Sequence, residues 1–204
     1  MLERFDYIRI PPLTGEAEAD ALAFLMANGK PNTARHVRNV AGQNEELARR
    51  FALDAPLCRL SGILHDVSAV IRPRDMLAFA RAEGWPLCRA EEQYPFLLHQ
   101  RLSALLARDV FGVTDQRVLS PVSCHTTLKP GADKYDMALF ISDKLAWDQE
   151  GEPPFYEEVE KALSHSLERA CYTYMAYMIE NGKVLCPHDR WTAAFAGLTS
   201  LFAS

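Results

Sequence analysis

The sequence predicts an all-α bundle. Three observations carry this. Apolar residues recur at three- and four-residue steps through most of the 204 residues, which is the period of a helix face. Alternating, strand-like runs are nearly absent. Capping residues, prolines and glycines then divide the chain into helix-length pieces.

The elements follow in order. Residues 1–14 read as extended, ending at Pro11-Pro12. Residues 15–29 form an amphipathic helix closed by Asn28-Gly29. Pro31 opens a second helix to about Phe51, with His36, Val40, Gln43 and Leu47 along one face. Asp54 caps a third, with Pro56 in its first turn, running through Leu64 to His65-Asp66. Residues 73–83 form a short helix stopped by Gly84, and a loop with Pro86 and Pro95 follows. Residues 96–111 form an apolar helix carrying His99. Asp115 or Thr114 caps the next, which reaches His125 and is kinked at Pro121. Residues 134–149 carry Asp143. A long helix spans 155–180, and Pro187 opens a last one to about residue 202. The domain reading is an N-terminal extension, 1–30, packed on a single domain, 31–204.

Composition narrows the function classes. At 49% hydrophobic and 24% charged, the chain has ample material for a core. No apolar run approaches the ~20 residues of a membrane span, and no signal-peptide core is present at the N-terminus, so a cytoplasmic location is expected. A net charge of −5 argues against nucleic-acid binding, which needs a basic surface. The five cysteines are widely spaced with no C-x-x-C, so free thiols are expected.

The chemistry-bearing pattern is His36, His65-Asp66, His99, His125 and Asp143, in the order H…HD…H…H…D. Four of the six histidines belong to it. Most of the set falls in or beside apolar helical stretches, where unpaired polar groups are costly. Imidazole and carboxylate together are transition-metal ligands, so the joint reading is a metal centre. Taken singly, each histidine reads as a satisfied core residue and Asp143 as half of an ion pair. Thr126, Thr127 and Lys129 read either as phosphate or ribose contacts or as an ordinary capped turn. His165 and His188 read as structural or surface residues, and Tyr172, Tyr174 and Tyr177 as core or dimer surface.

This pattern resembles the HD-domain metal phosphohydrolases, and more narrowly the YqeK-like branch, the symmetrical bis(5′-nucleosyl)-tetraphosphatases. The resemblance rests on RHVRNVAGQNEELARRF around His36, LSGILHD at 60–66, FLLH at 96–99, CHTTLKP at 124–130, LFISD at 139–143 and the tail NGKVLCPHDRW. It implies an HD-domain helical bundle. It further implies that His36, His65, Asp66 and Asp143 hold one divalent ion, with Asp66 bridging to a second held by His99 and His125. Iron is the metal it implies; Mn, Co and Ni suit the same ligands. Asp66 and His65 become the catalytic pair, and the reaction becomes hydrolysis of diadenosine tetraphosphate to two ADP. The partner is then a nucleotide, and the tyrosine-rich helix allows a homodimer. Two departures stand out. Ala69 and Val70 occupy the positions where the superfamily carries a Lys after HD, leaving Arg72 as the candidate phosphate contact. The loop after Asp143 is acidic. An HD enzyme acting on another nucleotide, and an HD module that binds without turnover, stay open beside the tetraphosphatase.

Overall fold

The structure is a computed structural model and describes residues 4–202; the first three residues of the extended N-terminal segment and residues 203–204 lie outside that range. The described residues form eleven α-helices and no strand: α1 (Ala17–Ala27), α2 (Pro31–Arg50), α3 (Ala55–Leu64), α4 (Pro73–Ala82), α5 (Arg89–Gln93), α6 (His99–Asp109), α7 (Gln116–Val122), α8 (Lys134–Leu145), α9 (Tyr156–Leu163), α10 (Leu167–Glu180) and α11 (Asp189–Phe202). Two 3-10 turns, Val67–Val70 and Pro95–Leu98, follow α3 and precede α6.

Helices α2 and α3 form the tightest pair. A Cβ on Gly62 would stand 2.6 Å from Ala41 Cα, so only glycine lets the two backbones approach this closely. Asp54 caps α3 by accepting the Leu57 N–H, as its type and position predict. Across the seam, the buried Asn44 amide donates to Cys58 O at 2.7 Å and accepts from Ser142 Oγ of α8 at 3.2 Å. A bridge of this kind fixes the register of three helices, because each buried polar atom needs its partner.

Two apolar cores result. One gathers α1 to α4 with α6 and α7 around Phe24, Ile63, Leu64, Leu98, Leu102 and Leu106. The other gathers α8 to α11 around Phe140, Ile141, Phe155, Leu163 and Met175. Helix α1 is clamped onto α3 by the two-pronged Arg59–Glu18 pair, at 2.6 and 3.0 Å. All five cysteines are free thiols.

Several boundaries differ from those the sequence suggests. The 96–111 helix begins at His99, because Pro95 starts a separate 3-10 turn. The preceding loop contains α5, held by a reciprocal cap in which the Glu91 side chain accepts the Cys88 N–H. Helix α7 stops at Val122, short of His125. Pro121 lies one residue before that end, so it shortens the helix instead of kinking it. Helix α8 ends at Leu145, four residues early. The 155–180 helix is two helices. Ser164 Oγ bonds back to Lys161 O, and Ser166 caps α10 by accepting the Arg169 N–H, so the two serines end one helix and start the next.

Candidate metal centre

The six side chains of the H…HD…H…H…D pattern arrive from five places. His36 projects from the second turn of α2, and His65 is the C-terminal cap of α3 with Asp66 just beyond it. His99 is the first residue of α6, His125 sits in the turn after α7, and Asp143 lies in the last turn of α8. Their atoms converge. His36 Nε2, His65 Nε2 and Asp143 Oδ1 lie 3.1–3.5 Å from one another. Asp66 stands between this trio and the other two histidines. Its Oδ2 is 3.7 Å from His65 Nε2, and its Oδ1 is 3.4 and 3.6 Å from His99 and His125 Nε2.

The tautomers follow from the backbone. His65, His99 and His125 each donate Nδ1–H to the carbonyl three residues earlier, Gly62, Phe96 and Val122, at 2.7, 2.6 and 2.9 Å. In the neutral ring that leaves Nε2 as a lone pair, aimed inward. His36 is oriented differently, with the Asp148 carboxylate 2.6 Å from its Nδ1. The consequence is a set of facing lone pairs. His99 and His125 Nε2 lie 2.9 Å apart, and His36 and His65 Nε2 lie 3.3 Å apart. Such a set repels itself unless a proton or a metal ion sits within it, and the donor types are those of a divalent transition-metal site. The residues fit a divalent metal: His36, His65 and Asp143 bring their ligand atoms together as one group, and His65, Asp66 and His125 as another.

Electrostatics gives the same demand for a cation. Burial opposes charge on His65, but the carboxylates of Asp66 and Asp143 outweigh it and raise the ring to about 9. Burial likewise pushes His125 down, to about 4. Burial alone would raise both carboxyls. The surrounding imidazoles hold Asp66 far below its ordinary range, and the Lys144 ammonium with His36 and His65 does the same for Asp143. The buried carboxylates thus favour positive charge beside them, and a metal ion competes with the proton for that place.

A buried scaffold holds the ligands. Ser68 Oγ donates to the His99 carbonyl at 2.7 Å, while Ser103 Oγ holds the Ser68 N–H. Gln100 Oε1 accepts the backbone N–H groups of Thr126 and Thr127, pinning the turn after His125 to α6. Lys144 pairs with Asp143 and points its ammonium at the His125 carbonyl. Asp148, Gln100, Ser68 and Ser103 do not stand out in the sequence, although a glutamine and two serines on apolar helical segments are a signal in kind.

A cleft of 580 Å³ opens onto the cluster, lined by Asp66, His99, His125 and Asp143 together with Lys30, Arg72, Phe96, Thr126 and Lys144. Arg72 lines this cleft and also a neighbouring one that holds Tyr7, with its guanidinium stacked 4.0 Å from the Tyr7 ring centre. Thr126 Oγ1 is 3.1 Å from His99 Nε2. Thr127 instead is buried against Gln100. Lys129 turns away to a different cleft and pairs with the buried Asp136 at 2.9 Å, so the geometry gives it no place at the cluster. His165 is exposed. His188 is buried beside Glu91, and its Nδ1 accepts the Arg190 N–H, which leaves Nε2–H facing the carboxylate as a structural contact.

An all-α bundle that closes histidines and aspartates around a cation site in this order defines a class, the HD hydrolases. The HD domain family model matches residues 33–148, more than half of the chain, and the chain belongs to that family. It is 36% identical over 123 residues to an uncharacterized protein in the pepC 5′ region of Lactococcus lactis subsp. cremoris, a match covering 60% of this chain and 63% of that relative's length. It is 26% identical over 138 residues to the symmetrical bis(5′-nucleosyl)-tetraphosphatase of Bacillus subtilis (strain 168), covering 67% of this chain and 73% of that protein. In fold it is similar to a crystal structure of a predicted HD superfamily hydrolase involved in NAD metabolism from Clostridium acetobutylicum. That match has a TM-score of 0.81 and 23% identity, and covers 90% of this chain and 97% of the other.

Proposed function

We propose that this HD hydrolase cleaves dinucleoside polyphosphates, taking diadenosine tetraphosphate to two ADP. The observation that supports the reading most is the convergence of four imidazoles and two carboxylates, four of these six residues lining a cleft that Lys30, Arg72 and Lys144 also line. When bound there, a pair of divalent ions supplies a water-derived nucleophile near neutral pH and charge compensation for phosphoryl oxygens. The chain's own groups do the rest. Asp66 and His65 position the reacting centre. Arg72 offers planar, two-pronged donors to a phosphate, with Tyr7 holding its plane. Lys144 neutralises Asp143 and leaves its ammonium at the junction of ligands and cleft. The chain's overall acidity does not oppose an anionic substrate, because these cations are local.

Ala69 and Val70 line the cleft where a Lys after HD would stand, and this favours as a second reading an HD nucleotidase acting on another nucleotide. Ion-exchange analysis of products separates the cases. Protein loaded with iron or manganese and given diadenosine tetraphosphate yields ADP alone if the proposal holds. ATP with AMP means a different bond is cut. No product, with metal verifiably bound, overturns the tetraphosphatase reading.

A further inference from the structure

We propose that the aromatic cleft beside the metal centre, between α10 and the start of α11, seats one nucleoside of a two-armed substrate; this rests on the nucleotide-hydrolase reading above. The 580 Å³ cleft on the cluster adjoins a second of 330 Å³, which is lined by Tyr94, Leu97, Tyr174, Met178 and Trp191 and by none of the six ligands. Phe96, Thr126 and Lys144 line both, so the two basins meet beside His99, His125 and Asp143. A substrate lying across the centre with phosphates at Lys144 would send one organic arm into each basin.

The chemistry of the second basin selects a flat, apolar group attached to an anion. Its walls are aromatic and aliphatic, and aromatic faces accept any base by stacking. Its polar content is Lys144, Lys183, His188 and two threonines, with no carboxylate in the lining. Lys183 also borders a third cleft that holds His36 and Asp148, so its ammonium serves the approach to the centre from that side. Two large apolar side chains stand exposed at the rim, Phe96 at 50% and Leu185 at 81%. Phe96 stacks on His99 with rings 18° from parallel, and Trp191 lies with one face on Phe195, 5.6 Å between ring centres. Each ring thus has a neighbouring ring beside it, which reduces the side-chain freedom lost when a base lies against it.

ADP titrated into the full-length, manganese-loaded protein while tryptophan emission is followed gives the direct test. Saturable quenching is expected, and Trp191→Phe removes most of it, although Trp85 and Trp147 remain. In parallel, Leu185→Asp, a change at an exposed rim position, raises KM for diadenosine tetraphosphate about tenfold more than KM for inorganic tetraphosphate, which carries no base. Quenching undiminished in Trp191→Phe, or equal KM changes for the two substrates, overturns the nucleoside site while leaving the hydrolase reading intact. Trp191-dependent quenching without turnover of either compound supports the nucleoside site and sinks the hydrolase reading instead.

Discussion

At the scale of residues, the centre is a problem in satisfying lone pairs. Three of its four histidines spend Nδ1–H on a carbonyl one turn back, so a single local device repeats at Gly62, Phe96 and Val122. The pattern H…HD…H…H…D was legible because imidazoles and carboxylates in apolar helices are rare and costly. Gln100 was not, since its partners Thr126 and Thr127 lie across a turn that sequence periodicity cannot place. Gln100→Leu keeps the volume but leaves two buried N–H groups unpaired, a loss of about 1–3 kcal/mol in chemical denaturation, and kcat falls as the His125 turn loosens. Wild-type stability with unchanged kcat would contradict the clamp. Glu91 sets a pH dependence remote from the centre. Burial would raise it, yet His188, the Cys88 N–H and Arg101 hold it at about 2 against an ordinary 4.5. Its folded value is depressed, so its contribution, about 3 kcal/mol, is complete above pH ~4.5 and is lost as pH falls toward ~2. Glu91→Gln should flatten that part of the acid-unfolding curve; a slope as steep as the wild type's would refute the assignment.

At the scale of elements, caps decide boundaries. Asp54, Gly29 and Gly84 are the right residue types at the right places, and the helices they bound match the expected ones closely; Asp115 caps α7 as expected, but that helix ends early. The break inside 155–180 and the early stop of α7 were missed for one reason. Serine offers the backbone local hydrogen bonds, and proline removes a backbone donor, and both override an otherwise continuous apolar period. Ser166→Ala removes the α10 cap and should cost about 1 kcal/mol, read as a lower denaturation midpoint with an unchanged m-value. Gly62 tests the α2–α3 seam. Gly62→Ala forces the helices apart against Ala41 at a cost of about 1–3 kcal/mol, and because His36 and His65 ride on those two helices, metal affinity drops with it. Unaltered stability and metal affinity would mean that the seam relaxes freely.

At the scale of the whole molecule, the centre lies where the two cores meet. His36, His65, Asp66 and His99 come from the α1–α7 side, and Asp143 comes from α8, a helix whose other residues fill both cores. Metal ions there would tie the two halves together and bind the folded state alone. Saturating manganese should accordingly raise the melting temperature by roughly 5–10 °C over chelator-treated protein, and no shift would contradict a built site. Metal counting by mass spectrometry on wild type and Asp66→Ala is the most direct test, because the Asp66 carboxylate faces His65 with one oxygen and His99 and His125 with the other. The account predicts two ions per wild-type chain, loss of at least one in the variant, and disappearance of phosphohydrolase turnover with it. A wild-type protein that holds no metal at saturation, or a variant that keeps both ions and full turnover, would contradict it.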